Sequence, residues 1–395
     1  MKRIIAVVIV VLIAATSYVA IKSKGAFPAV LPPASITPEQ QPKGETVNES
    51  NLTVPEGFSL RIFARDMGSV RDLEFTGDGT LLASIPAKGE VVALLDKDSD
   101  GHAEETKTVI TGLQRPHGLL FYRDKLFVAT ETSVLKYSYD GTNSTAALEK
   151  KLFDLPKGGR HFTRTLAANS LGQLFVSIGS TCDVCFENQP FLAAVIVSDQ
   201  NGNSPRLFAK GLRNSVFITV NPQTDELWAT EMGRDFLGDD LPPDEVNIIK
   251  DGRDYGWPLC YGNRVHDTDF DKNVYIQIIP QPPCGETESP VYEIAAHSAP
   301  LGLAFITSDK FPKDWQGDLL VAYHGSWNRS TPTGYKVVRI KLENGQSHGE
   351  EDFISGFLEG SRATARPVDL IFAKDGSLYV SDDKAGFVFR IDYQN

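Results

Sequence analysis

The feature that most constrains this chain is internal repetition: from residue 53 onward one apolar pattern recurs six times. The first copy reads Val70-Arg71-Asp72-Leu73-Glu74-Phe75, a turn at Gly77-Asp78-Gly79, then Leu81-Leu82-Ala83 and a third run, Val91-Val92-Ala93-Leu94. The second reads Pro116-His117-Gly118-Leu119-Leu120-Phe121, Lys125-Leu126-Phe127-Val128 and Val134-Leu135-Lys136-Tyr137. Further copies begin near Arg164, Asn214, Pro300 and Arg366. Apolar and polar residues alternate within each run, the period of strands that bury a face. Most copies lie about 45–50 residues apart, with longer insertions before the fifth and sixth, and that period is the length of a propeller blade. Ahead of the first copy, Phe58-Ser59-Leu60-Arg61-Ile62-Phe63 reads as a lone strand that completes the last blade and leaves no free sheet edge. Helical periodicity is absent after residue 22, and Gly 33 with Pro 23 supplies the turns that many short strands need. The expected fold is all-β, a six-bladed β-propeller over residues 53–395.

An N-terminal membrane anchor or signal segment, residues 1–24, precedes it. Met1-Lys2-Arg3 is positive, and Ile4 to Ile21 is an almost unbroken apolar run of 18 residues. That length is near the lower limit for crossing a bilayer and long for a signal-peptide core. Tyr18-Val19-Ala20 has the wrong third-last residue for cleavage, which favours an uncleaved anchor over a cleaved signal. Either way Lys2 and Arg3 stay inside and the rest is exported, to the outer face of the membrane, the periplasm or the exterior. Residues 25–52, with Pro at 28, 32, 33, 38 and 42, read as an extended linker.

Export gives the four cysteines a meaning. The favoured pairs are Cys182–Cys185 and Cys260–Cys284. A four-thiolate zinc site and a redox role for Cys182-x-x-Cys185 are the rival readings, but no second tight pair and no thioredoxin-like pattern accompany them. A net charge of −12 without a basic stripe argues against nucleic acid and anionic lipid as partners.

Against that acidity, the starts of the inner strands are cationic: Arg71, Arg115 with His117, His161 with Arg164, Arg213 with Asn214, His297 and Arg366. A ring of such residues around one end of a channel suggests a funnel for an anionic ligand.

The fourth repeat is the most specific stretch. It carries Gly211-Leu212-Arg213-Asn214, Glu231-Met232-Gly233-Arg234-Asp235, Asp244-Glu245-Val246-Asn247 and Asp254-Tyr255-Gly256-Trp257-Pro258. With His161 and its following strand, and with His324-Gly325-Ser326-Trp327-Asn328-Arg329, it resembles the quinoprotein sugar dehydrogenases over roughly residues 53–395. These are calcium enzymes that use pyrroloquinoline quinone, and they include soluble glucose, aldose sugar and sorbosone-type dehydrogenases. The resemblance implies a sugar substrate, oxidised to lactone or acid by hydride transfer, and an external electron acceptor. It implies His161 as general base and Arg213 beside the reactive carbonyl, with Asn214 and His117 at the cofactor and Arg366 on a cofactor carboxylate. It further implies the backbone carbonyls of Gly233 and Arg234 on the cofactor's calcium, and Asp244, Glu245 and the Tyr255 region as a calcium-binding loop. A neutral histidine with a pKa near the operating pH suits proton abstraction, and calcium takes carboxylate and carbonyl oxygens.

The departures point to the sorbosone-like branch. Ser180 stands where the base's aspartate partner belongs, leaving Asp183 as the candidate substitute. Val368 replaces a second arginine, and His324, Arg329 or Lys336 must stand in for a cofactor lysine. Asp96-Lys97-Asp98-Ser99-Asp100-Gly101 follows half of a calcium loop, but Lys107 holds its twelfth position, so a solvated acidic turn is the alternative. Two other functions stay open: a non-catalytic envelope propeller that binds carbohydrate or protein, and, more distantly, a calcium-dependent lactonase.

Overall fold

The computed structural model describes residues 51–276 and 281–394. Residues 1–24 and nearly all of the linker lie outside the described residues, and among the described residues no helix is long and apolar enough to cross a membrane.

Six four-stranded antiparallel sheets form the ring. Their inner strands are Leu73–Phe75, Leu119–Tyr122, Leu166–Ala168, Ile218–Val220, Pro300–Phe305 and Pro367–Phe372. The expected lone strand does close the ring: Phe58–Ala64 pairs antiparallel with Phe387–Tyr393 as the outermost strand of blade 6, with Phe58 opposite Tyr393. Its anchor is aromatic, since the Phe58 ring lies 4.9 Å from Phe311, 5.3 Å from Trp315 and 5.1 Å from Phe353. These contacts add to the burial of a large apolar surface.

The repeat has four strands rather than the three legible in sequence. The missed outermost strands are polar because only one face meets protein: of Thr145–Asp154, Leu152 alone is buried. Six separate apolar clusters fill the gaps between neighbouring blades, such as Phe127, Val134, Leu174 and Val176 between blades 2 and 3. Side-chain hydrogen bonds stitch the inner strands as a repeat of their own. Ser84, Ser177 and Ser381 each accept a backbone N–H from the inner strand of their blade or from the residue just before it, at 3.1, 3.2 and 3.1 Å. Across blades, Leu73 N–H donates to Asp369 (2.8 Å), Thr165 Oγ1 to Val216 O (2.5 Å) and Thr230 Oγ1 to Leu301 O (2.6 Å).

Both expected disulfides are present, Cys182–Cys185 and Cys260–Cys284, and no cysteine is free. The second closes the long insertion of blade 4, between Asp244–Ile249 and Tyr292–Ile294. At the acidic loop, the carboxylates of Asp96, Asp98, Asp100 and Glu104 gather within 4.8 Å of one another. Asp96 is also used to close the turn, accepting the N–H groups of Asp100 and Gly101.

Candidate functional site at the channel mouth

An antiparallel blade brings the start of its inner strand and the end of its second strand to the same end of the ring. There His161 precedes the inner strand of blade 3, and Ser180 follows that blade's second strand, Gln173–Ile178. His161 Nδ1 lies 2.9 Å from Ser180 Oγ and 3.1 Å from Ser180 O. The Ser180 hydroxyl donates to Cys182 O at 2.6 Å, so its oxygen accepts from the ring. This fixes the Nδ1–H tautomer and leaves Nε2 as the basic atom. Burial, and then the charges of Arg213 and Arg160, push the His161 pKa down to about 2. Burial and the two arginines therefore favour the neutral ring, the form that can accept a proton.

Asp183 does not take the missing aspartate's place at His161. It turns to Arg213, which donates from Nε to Asp183 O (2.8 Å), from a terminal nitrogen to Asp183 Oδ1 (2.7 Å) and from the other to Met232 O (3.2 Å). Asp235, 3.6 Å from the same guanidinium, also pairs with Arg160 at 2.5 Å and accepts from Asn328 Nδ2 at 2.8 Å. Asn214 donates its backbone N–H to Glu231 at 2.8 Å, while its buried Oδ1 has no partner. Gly179 lets these groups meet: a Cβ there would lie 2.6 Å from His161 Cβ and 2.8 Å from Asn214 Oδ1.

The opposite side of the mouth is a second network. Arg71 pairs with Asp383 at 2.6 Å, and Asp383 with His324 Nε2 at 2.8 Å. Burial opposes ionisation of Asp383, but His324 and Arg71 outweigh it and hold its carboxyl well below the usual range. Arg366 donates to Gly325 O at 2.9 Å and lies 4.9 Å from the Tyr335 ring centre. His117 is fully buried behind Arg71, whose Nε donates to its Nε2 at 3.4 Å, and its Nδ1 reaches Arg164 O at 3.3 Å. Both its nitrogens are committed and the ring is fully buried, so His117 stands behind the mouth rather than at the place expected for it beside a cofactor.

The cationic ring is therefore smaller than the sequence suggested. Arg164 is buried and ties down the carbonyls of His161, Thr163 and Pro156. Arg115 lies over Phe162 at 3.3 Å, and His297 holds Gly238 O at 2.8 Å. Arg329 sits on the rim between Ala296 O (3.1 Å) and Asp240 (3.0 Å), and Lys336 pairs with Asp352 at 2.6 Å. Of the arginines that remain, Arg71 and Arg213 carry carboxylate partners, whereas Arg366 is held by Gly325 O and the Tyr335 hydroxyl.

Beside Arg213 lies a cavity of about 30 Å³ lined by Glu231, Gly233, Arg234, Glu245, Trp257 and Asp267. Glu231 and Glu245 stand opposite each other on neighbouring strands, and Glu293 continues the row. Burial raises the Glu245 pKa and pushes Glu231 up to about 8, the condition of carboxylates short of a counter-cation. Asp244 uses its two oxygens on Gly233 N–H (2.8 Å) and Ala299 N–H (2.9 Å). Tyr255 lines the cavity, but its hydroxyl is held between Ile248 O (2.5 Å) and Lys250 N–H (2.9 Å), so it is not a free ligand. Glu231, Asp267, Asp235 and Asp383 are site residues that the sequence reading did not assign, and Asp183 was expected at His161 rather than at Arg213. Several sit at second-strand ends, a position its search of inner-strand starts passed over.

A family model described as TrAA12-like matches residues 52–394. The chain is 26% identical over 410 residues to a pyrroloquinoline quinone-dependent pyranose dehydrogenase of Coprinopsis cinerea, covering 86% of this chain and 54% of that protein. It is 30% identical over 374 residues to an uncharacterised protein of Borreliella burgdorferi, covering 87% and 92%. Among solved structures, the calcium structure of a Trichoderma reesei family AA12 enzyme superposes with a TM-score of 0.75 at 21% identity, covering 87% of this chain and 97% of the other. At that identity the last likeness speaks for the fold.

Proposed function

The chain belongs to the TrAA12-like family, and from that premise we propose that it is an exported, calcium-requiring sugar dehydrogenase dependent on pyrroloquinoline quinone. The observation that carries the reading is the meeting at Gly179 of a neutral, tautomer-fixed His161 with an unpartnered Asn214 Oδ1, close enough to Arg213 for its charge to act on the ring. When bound, the quinone supplies the electron-pair acceptor for oxidation of the sugar. His161 Nε2 takes the proton from the anomeric hydroxyl of the sugar. Arg213 stabilises the negative charge that grows beside it during oxidation. Asn214, His324 and Arg366 bind the anionic cofactor from three blades, with Arg71 behind them. Gly233 and Arg234 would hold calcium through their carbonyls, and Glu231 with Glu245 in the same cavity would lower the potential there for a cation. The donor set, buried carboxylates and carbonyls around a small cavity, fits a hard cation. Electrons leave to an external acceptor. The two disulfides support export, with the segment before residue 25 as anchor or signal.

Isothermal titration of residues 51–395 with the quinone, with and without calcium, followed by reduction of an artificial dye in the presence of aldoses, tests the reading. Calcium-dependent binding and sugar-dependent dye reduction are expected. No quinone binding at millimolar calcium would refute it and leave a binding propeller.

A further inference from the structure

Between the second and third strands of blade 3, the chain makes a short turn, Ser180-Thr181-Cys182-Asp183-Val184-Cys185, closed by the Cys182–Cys185 disulfide. Residues 181–185 are only half-buried and belong to none of the six apolar clusters, so packing alone does not set their shape. What holds the turn is covalent and polar. The disulfide closes one end, and Glu187 accepts Thr181 N–H (2.6 Å) and Thr181 Oγ1 (2.9 Å) at the other. Turns of this kind are ordinarily the places where a chain loosens.

Yet this turn reaches both groups to which the chemistry is assigned. Ser180 accepts from His161 Nδ1 and donates its own O–H to Cys182 O. Asp183 meets Arg213 with two oxygens at once, its backbone carbonyl on Nε and its carboxylate on a terminal nitrogen. The same two oxygens take Trp257 Nε1–H (3.3 Å) and Asp235 N–H (2.9 Å), linking the turn to the loops of blade 4. A guanidinium has five N–H donors. Asp183 and Met232 occupy three of those on Arg213, and the fork fixes the plane in which the others lie.

We propose that Asp183 is a positioning residue for Arg213, and that the disulfide-closed turn carrying it sets Arg213 and His161 in register with each other. The proposal rests on the reading of those two residues as the catalytic pair, but its structural part is testable without turnover. Ser180 supplies the orientation that the family's aspartate supplies elsewhere, which frees an acidic residue of the same loop to hold the arginine. A displacement of the guanidinium by about 1 Å is enough to lose about 10²-fold in rate when a group acts on developing charge.

The experiment compares Asp183→Ala, Asp183→Asn and the double variant Cys182→Ser/Cys185→Ser with the parent domain. In the cofactor-free protein, ¹⁵N NMR reads solvent exchange of the Arg213 Nη–H groups, one of which the Asp183 carboxylate accepts, and of the Trp257 indole N–H. Asp183→Ala and the double variant should each speed exchange at Arg213 by about tenfold or more, and the double variant should do the same at Trp257. In the loaded enzyme, kcat should fall about 10²-fold with KM little changed, and Asp183→Asn, which keeps an acceptor, should recover most of the loss. Combining Asp183→Ala with the serine pair should add little, because both remove one unit. Unchanged exchange at Arg213 in Asp183→Ala and in the double variant overturns the proposal whatever the activity. An inactive parent domain with the expected exchange changes would instead refute the dehydrogenase reading and leave the clamp standing. Should the serine pair fail to fold, the contrast of Asp183→Ala with Asp183→Asn decides.

Discussion

Burial of a neutral histidine under two arginines has a price in acid, and His161 allows its size to be worked out. The ordinary histidine pKa of 6.5 falls to about 2 in the folded protein, through burial first and then Arg213 and Arg160. As pH drops below 6.5 the unfolded chain takes up a proton here and the folded chain does not, so stability is present above the unfolded value and is lost as pH falls toward the folded one. At about 1.4 kcal/mol per pH unit, moving from about pH 7 to about pH 4.5 removes about 3 kcal/mol. His161→Gln keeps a donor for Ser180 and removes the titration. Urea unfolding of the cofactor-free domain at both pH values should therefore show the parent losing about 3 kcal/mol more than the variant. His117 and His324 are also pushed down by burial, but they are present in both proteins and cancel in the difference. The same shift bears on catalysis: no acidic limb near the ordinary histidine value should appear in ring-carbon NMR titrations of the cofactor-free enzyme. Equal losses in parent and variant, or a His161 resonance that titrates near its ordinary pKa, would refute the account of burial and arginine charge.

Two further outcomes are expected. Gly179→Ala puts a Cβ 2.6 Å from His161 Cβ and 2.8 Å from Asn214 Oδ1, so quinone binding measured by calorimetry should be lost while the circular dichroism spectrum is retained; binding at parental affinity would contradict it. Cys260→Ser/Cys284→Ser opens a link spanning 24 residues, for which loop entropy gives about 3–4 kcal/mol; calcium should also protect the variant less in thermal melts, because Gly262 N–H, which holds Glu245 at 2.7 Å, lies inside that link.

The fold was legible where both faces of a strand are covered. Leu81–Ile85 and Leu319–Tyr323 are buried at every position, and such runs stand out in any sequence. The closing strand was legible as an apolar run with no second and third strand of its own following it, and Phe58 and Ile62 pack with residues at the far end of the chain. Outermost strands gave little signal. Glu105–Ile110 alternates between half-buried and exposed before its last two residues, and that is also what a polar loop looks like. The blade therefore read as three strands, with the fourth hidden by its own exposure.

At the site, the arginines were visible and their partners were not, and the reason is topological. Each blade reaches the mouth twice, once where its inner strand begins and once where its second strand ends. The first position follows directly from the repeat, and Arg71, His161, Arg213 and Arg366 were found there. The second depends on where a strand stops, which sequence fixes poorly, and it supplies Ser180, Asp183, Glu231, Asp235 and Asp383. Pairing compounds the difficulty: Arg213 meets Asp183 30 positions away, Arg160 meets Asp235 75 away, and Arg71 meets Asp383 312 away. An arginine withdrawn from water needs acceptors, and these are carboxylates at Arg71, Arg160 and Arg213 but backbone carbonyls at Arg164 and Arg366, so charge alone does not identify the partner. With Arg71, Arg160 and Arg213 matched by Asp383, Asp235 and Asp183, the mouth offers an anion little net charge. What it offers are directed N–H donors that the carboxylates leave unoccupied, and Arg213 keeps two of its five. On the proposed reading, selection of an anionic cofactor at this mouth would be a matter of donor geometry, which for Arg71 and Arg213 is set by residues at or after the second-strand ends.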